Sequence, residues 1–128
     1  MCELISSEIA EKLGIEYTKY NIFWENNKLF LVCEDFITSD TELVSAYNIM
    51  KNIKNPNDVS VYEFYIQCVE KLNIKDIRRR LEKIIVRDCL ICNEDRHFNN
   101  FGFVRNAVIL KWLYLIAEHL FGIIHRKF

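Results

Sequence analysis

Hydrophobic and polar positions in the first part of the chain follow two different periods. Apolar residues recur at helical spacing over residues 4–13, and Gly14 stands where that helix would end. Two runs rich in aromatic and branched residues follow, over residues 17–24 and 28–33. Residues 25–27, Glu-Asn-Asn, have the composition of a tight turn between them. The pattern predicts a short helix followed by a β-hairpin.

Beyond residue 36 the apolar spacing becomes helical and predicts three helices, over residues 42–53, 61–72 and 76–92. Asp40 can cap the first helix, and Asn55-Pro56 breaks the chain after it. Ser60 and Glu63 have the spacing of a capping box at the start of the second. Strands followed by helices predict an α+β fold.

The helix predicted over residues 76–92 has its apolar residues largely on one face: Ile77, Leu81, Ile84, Ile85, Leu90 and Ile91. Because this periodicity is the longest in the chain, we expect this helix to be the most buried element. The arginines at positions 78–80 lie among acidic residues, so we interpret them as a solvated face. Cys89 and Cys92 have the spacing of half a zinc site, but no second pair follows. We therefore interpret both as core residues.

Composition and charge exclude several kinds of partner. The 128 residues are 51% hydrophobic and 27% charged with a net charge of -1, which provides no broad positive field for nucleic acid or an anionic membrane. The apolar stretch over residues 107–124 contains Lys111, Glu118 and His119, which are costly in a bilayer. Five cysteines and a start without a signal-peptide pattern indicate a reducing cytoplasm. We expect a cytoplasmic protein without nucleic-acid or membrane contacts.

The segment over residues 93–102, NEDRHFNNFG, concentrates groups that can carry chemistry. Phosphoryl transfer needs a carboxylate to accept a hydroxyl proton, an oxygen ligand for magnesium and a residue that keeps the loop in shape. Asp95, Asn100 and His97 fit those roles in that order. An isolated Asp-Arg-His in a loop is usually a solvated turn with a structural histidine. Asn100 and the long preceding helix favour the catalytic interpretation.

This loop resembles the catalytic loop of HipA-like serine/threonine kinases, which it matches at Asn93, Asp95, Arg96, His97 and Asn100. Residues 24–44 resemble the family's last N-lobe strands, its inter-lobe hinge and its first C-lobe helix. The resemblance implies ATP and Mg²⁺ as cofactors, with Asp95 and His97 as catalytic residues and Asn100 as a metal ligand. It also implies that the adenine ring would face Cys33, Glu34, Asp35 and Phe36, and that Glu3 would be the partner of the ATP-anchoring lysine.

The chain also departs from the family pattern. The family's ATP-anchoring lysine and phosphate-covering loop have no counterpart before Glu3, and no aspartate follows Asp95. We therefore expect an incomplete kinase-like fold: residues 1–36 as the end of an N-lobe and hinge, residues 37–112 as a partial helical C-lobe, and residues 113–128 as an aberrant tail. Such a chain is expected to be inactive alone. The alternative is a non-catalytic, pseudokinase-like helical interaction module that binds a partner chain.

The tail departs from the family where a second metal-binding aspartate is expected, and we hypothesise a reading-frame shift there. Permitted codons for residues 115–128, read one base earlier, encode FDCGTSFWHNTQEI, which restores an aspartate followed two positions later by glycine. The codons in this reconstruction are chosen, so the nucleotide sequence is the test. Codons that encode no aspartate-containing, kinase-like peptide in either alternative frame would eliminate the hypothesis.

Overall fold

Helices and strands are mixed in the computed structural model, which describes residues 2–15, 17–33 and 37–117. In chain order the elements are α1 (Cys2–Lys12), β1 (Tyr20–Glu25), β2 (Lys28–Cys33), β3 (Thr41–Ser45), α2 (Ala46–Met50), α3 (Val61–Glu70), α4 (Ile77–Leu90), β4 (Phe101–Asn106) and β5 (Trp112–Ala117). Strands β1 and β2 form a two-stranded antiparallel sheet, and β3, β4 and β5 form a second sheet in that order.

The predicted opening helix and hairpin are confirmed. Helix α1 ends before Gly14, whose φ of 62° is the left-handed conformation in which glycine is least strained. Asn26 and Asn27, with φ of 50° and 58°, make the turn between β1 and β2. Positive φ at both turn residues matches the twist of the flanking strands. The hairpin therefore follows from local turn chemistry.

The helix predicted over residues 42–53 is wrong in its first turn. Thr41–Ser45 is strand β3, which pairs antiparallel with β4. Pairing with β4 gives these residues the backbone partners that a helix would otherwise supply. Helix α2 begins after Ser45, whose hydroxyl accepts a hydrogen bond from the Asn48 N–H. Asp40 is not the cap, and its carbonyl instead accepts a bond from the N–H of Ala107, beyond the end of β4.

The main core lies between α2, α3, α4 and β4. Helix α3 supplies its largest share: Phe64, Tyr65, Ile66, Cys68 and Val69 are all buried. Ser60 caps this helix as predicted, its hydroxyl accepting from the Glu63 N–H. The expectation that α4 is the most buried element is wrong, because Ile85 and Leu90 are exposed. The buried face of α4 is instead completed by Arg87 and Asp88.

The end of the described chain continues the second sheet. In β5, Leu115 pairs with Phe103 of β4, so residues 115–117 of the hypothesised frame-shifted tail take part in regular strand pairing. Residues 118–128 lie outside the described part of the chain. Within the described residues, no helix combines the length and the apolar character that a membrane crossing requires.

Candidate active site

The NEDRHFNNFG loop connects the end of α4 to the start of β4. Its entry is fixed by Asn93, whose backbone N–H donates to the carbonyl of Asp88 at 2.9 Å. The Asn93 side-chain Nδ2 donates to the Asp88 carboxylate at 3.1 Å. Cys92, with φ of 51°, turns the chain out of the helix axis just before Asn93. The last turn of α4 thus sets where the loop begins.

An ion pair between Asp88 and Arg96 holds the middle of the loop against α4. Arg96 Nε and Nη2 donate to the two carboxylate oxygens of Asp88 at 2.8 Å and 2.7 Å. The two side chains are only 16% and 10% exposed, so solvent screens the pair weakly. Arg96 Nη1 also donates to the carbonyl of Asn100 at 3.1 Å. One arginine therefore ties the helix to both the middle and the end of the loop.

Asp88 is ionised in this arrangement. Burial raises the pKa of its carboxyl, but the hydrogen bonds and charge of Arg96, together with the bond from Asn93, outweigh burial and lower the pKa below its ordinary value of 3.8. The carboxylate accepts three hydrogen bonds. It is the acceptor on which the loop is built.

The predicted proton acceptor and metal ligand are joined directly. Asn100 is buried, and its Nδ2 donates to the backbone carbonyl of Asp95 at 2.7 Å. The Asp95 N–H donates to Asn93 Oδ1 at 3.3 Å, and the Asp95 side chain is exposed. This bond engages Nδ2 of Asn100. The remaining polar atom of the side chain, Oδ1, is an oxygen of the kind that magnesium prefers. Asp95 is therefore accessible from solvent.

His97 takes part in the shape of the loop. Its Nδ1 accepts from the Asn99 N–H at 3.3 Å, and its carbonyl accepts from the Asn100 N–H at 2.9 Å. The imidazole itself is exposed. These contacts agree with the expectation that His97 maintains the loop by hydrogen bonding. Its catalytic role stays a prediction.

Aromatic residues anchor the loop onto the helices beneath it. The ring of Tyr65 on α3 contacts Phe98 and Phe101, with ring centroids 6.3 Å and 5.4 Å away. The carbonyl of Phe98 accepts a bond from the Tyr47 N–H of α2 at 3.0 Å. Burial raises the pKa of Tyr65 well above its ordinary value, so this side chain packs as a neutral ring. The loop therefore contacts α2 and α3 as well as α4.

Of the residues predicted to face the adenine ring, the structure describes only Cys33. Cys33 ends β2 and is half-buried, while Glu34, Asp35 and Phe36 lie outside the described residues. The predicted adenine contact consequently stays a prediction.

The described residues also fall short of a complete magnesium site. They contain no cluster of three or more His, Cys, Asp or Glu side chains that could hold a metal ion. Asn100 Oδ1 would supply one ligand, and the described part of the chain places no carboxylate pair beside it.

Two features of this region are missed by sequence reasoning. Asp88 falls on the apolar stripe of α4, four positions after Ile84 and seven after Leu81, and that spacing was the available signal of its burial. The interpretation of Cys89 and Cys92 as core residues is wrong, because both are exposed. The arginines at 78 and 79 are exposed, as predicted, and Arg78 forms an ion pair with Glu63 at 2.6 Å.

Comparison with known proteins finds similarity to a kinase. No protein-family model matches the chain. It is 26% identical over 109 residues to the serine/threonine-protein kinase CtkA of Helicobacter pylori, an alignment covering 80% of this chain and 34% of the relative. The crystal structure of the H. pylori proinflammatory kinase CtkA superposes with a TM-score of 0.72 at 22% identity, covering 88% of this chain and 43% of that one. The chain has the fold of part of a kinase. It spans about a third of the curated relative's length.

Proposed function

We propose that this chain carries the catalytic loop of a HipA-like, ATP- and magnesium-dependent kinase that transfers a phosphoryl group to a serine or threonine hydroxyl of a protein. In the complete enzyme Asp95 accepts the hydroxyl proton and Asn100 is a metal ligand. The observation that carries this proposal is the Asn100–Asp95 hydrogen bond of 2.7 Å, which brings both residues into one loop. The similarity to CtkA supports a kinase-like protein.

The way the loop is held also supports the proposal. Phosphoryl transfer depends on positioning and charge neutralisation more than on covalent chemistry by the protein. A loop fixed by Asp88, Arg96 and the aromatic cluster holds Asp95 with its side chain exposed, without needing a substrate to order it. A solvated turn with a structural histidine would not need a buried ion pair beneath it.

We also propose that the 128 residues do not transfer phosphate by themselves. Under this proposal Asn100 supplies one magnesium ligand, but no aspartate follows Asp95 in these 128 residues to supply the second carboxylate. Removing one member of a charge-stabilising set removes most of its effect, because the members act together. The remaining proton acceptor cannot replace the metal carboxylate.

Two measurements test these proposals separately. Incubation of the chain with γ-labelled ATP and magnesium is expected to give no incorporation, and labelling that disappears in Asp95→Asn would contradict the proposed inactivity. In the second, residues 93–102 replace the corresponding loop of the H. pylori kinase CtkA. The chimera is expected to keep kinase activity and to lose it with Asp95→Asn. A folded but inactive chimera would contradict the assignment of the loop.

A second candidate is a non-catalytic module that binds a partner chain. The specific observation in its favour is the outer face of the β1–β2 hairpin, where Ile22, Trp24 and Leu29 are 50%, 68% and 49% exposed. Trp24 and Leu29 are direct cross-strand partners, so their side chains share one face. Upstream DNA encoding a glycine-rich strand pair and a lysine in a kinase-like context would favour a split kinase. Absence of such DNA would favour the interaction module.

A further inference from the structure

The turn that ends α4 brings two cysteines close together. The Cys92 N–H donates to the Cys89 carbonyl at 3.3 Å, and Ile91 between them has φ of -98° and ψ of 6°. This i→i+3 bond closes a 3₁₀-type turn at the end of α4, and a rise of about 2 Å per residue places the two Cα atoms roughly 6 Å apart. Disulfides span Cα separations of about 4.4–6.8 Å. The Cα separation is therefore compatible with a Cys89–Cys92 bond while α4 stays folded.

Both thiols can be reached by a reagent in solution. Cys89 and Cys92 are exposed, whereas Cys68 is buried in the core and Cys33 is half-buried. Neither exposed cysteine contributes to the core cluster. The described residues also contain no metal-binding cluster that would use them as ligands. The two cysteines are thus close together and exposed, and among the described residues neither belongs to the core cluster or to a metal-binding cluster.

We propose that Cys89 and Cys92 form a redox-active dithiol that is oxidised to an intramolecular disulfide by low-molecular-weight disulfides of the glutathione class. One thiolate attacks the oxidant, forms a mixed disulfide and releases one glutathione thiol. The second protein thiol then attacks the protein sulfur of the mixed disulfide and releases the other glutathione. Two protein thiols are oxidised to one disulfide, and one oxidised glutathione is reduced to two thiols.

Oxidation would restrict the backbone where the NEDRHFNNFG loop begins. Asn93 follows Cys92 directly, and its N–H and Nδ2 both donate to Asp88, one residue before Cys89. In the reduced protein, hydrogen bonds alone close this segment. The disulfide would close the same segment covalently, so opening of the Asn93–Asp88 contacts becomes less frequent.

The chemistry is tested by treating the reduced chain with oxidised glutathione, blocking free thiols with N-ethylmaleimide and mapping the digested peptides by mass spectrometry. The peptide containing Cys89 and Cys92 should lose two hydrogens and carry no label. Cys89→Ser and Cys92→Ser should each stop at a mixed disulfide with glutathione. Cys33→Ser is the matched control and should still form the disulfide. Free thiols or two glutathione adducts in the wild type, under conditions that modify the single variants, would overturn the proposal.

A second measurement tests whether the disulfide restricts the start of the loop. Amide hydrogen exchange of Asn93 should be severalfold slower in the oxidised wild type than in the reduced protein, and redox state should not change it in Cys89→Ser. Equal exchange in the two wild-type forms would overturn the coupling. Neither measurement uses a nucleotide, so both outcomes are independent of whether the chain binds ATP.

Discussion

Asp88 determines the local structure of the loop although it carries none of the chemistry proposed for it. Its carboxylate accepts bonds from Arg96 and Asn93, and its carbonyl accepts the Asn93 N–H. A buried charge is tolerated only when it is paired and hydrogen-bonded, and its removal leaves the partner charge uncompensated. Substitutions at Asp88 should therefore affect stability before they affect any activity.

Replacing Asp88 by Asn should lower the free energy of unfolding by about 3 kcal/mol. The amide keeps the shape of the carboxyl but removes the charge and places an N–H group opposite the Arg96 donors. Urea unfolding measures the effect. Glu82→Gln on the exposed face of α4 is the matched control, with an expected change within about 0.5 kcal/mol. Equal unfolding midpoints for Asp88→Asn and the control would contradict a stabilising ion pair.

The stabilisation from Asp88 should depend on pH in one direction. Its folded-state pKa is lowered below the ordinary value of 3.8, so the unfolded chain binds the proton more readily. The contribution is fully present well above 3.8 and is lost as pH falls through the folded-state pKa. The difference in unfolding free energy between wild type and Asp88→Asn should stay constant from about pH 7 to pH 5 and shrink below pH 3.8. A difference that persists undiminished at about pH 3 would contradict this assignment.

At this scale, spacing alone predicted which loop residues would be brought together. Asp95 and Asn100 are five positions apart, and a short loop keeps such residues close whatever the surrounding fold. The burial of Asp88 was not predicted because a charged side chain in a helix is normally read as solvent-facing. Its partner Arg96 is eight positions away, so nothing local indicated the pair.

Among the elements, β3 and β4 lie too close together at Gly102 to admit a side chain. A Cβ placed on Gly102 would collide with the carbonyl of Val44 and lie 2.7 Å from the Ser45 Cα. These are backbone atoms of the neighbouring strand, so they cannot move aside as a flexible side chain could. The glycine that ends the NEDRHFNNFG segment is therefore required by strand pairing.

Gly102→Ala should destabilise the protein by about 3 kcal/mol, because β3 and β4 must separate to admit the methyl group. Gly14→Ala is the informative control: its φ of 62° is strained for alanine, but nothing lies within 4 Å of the added Cβ. It should cost about 1 kcal/mol from backbone strain alone. Thermal unfolding of the two variants measures the difference. A smaller loss in Gly102→Ala than in Gly14→Ala would show that the sheet adjusts.

Element prediction succeeded where the cause was local and failed where it was distant. Asn26 and Asn27 specify the hairpin turn within four residues, and Ser60 specifies the start of α3 within three. Residues 42–45 of strand β3 are predicted as helix because their partner strand, β4, is remote in sequence. Local propensity cannot report a backbone pairing of that kind.

For the whole molecule, burial is distributed unevenly. The core cluster draws on described residues from α2, α3, α4 and the second sheet and includes none from α1, β1 or β2. A two-stranded hairpin is marginally stable without a packed face. The β1–β2 hairpin exposes large apolar side chains at Ile22, Trp24 and Leu29. Opening of this hairpin should therefore require less free energy than unfolding of the core.

Hydrogen exchange should resolve this gradient. Amides of α3 between Phe64 and Val69 are expected to exchange slowest, at rates set by global unfolding, because all but one of the side chains in that stretch are buried. Amides of β1 and β2 should exchange at least tenfold faster, through local opening. Amides of the solvent-exposed residues of α4 serve as an internal comparison. Equal protection in α3 and the hairpin would contradict the gradient.

The pairing of β3 with β4 also has a consequence during synthesis. Thr41 pairs with Asn106 and Ser45 with Gly102, so all three helices of the core are made between the two strands. At about 5–20 residues per second, β3 leaves the ribosome roughly 3–12 s before β4 is available. During that interval β3 is an unpaired strand that other nascent chains can join edge to edge. The exposure of the growing chain to misassembly is therefore set by the time that a ribosome needs to translate the helices and the NEDRHFNNFG loop.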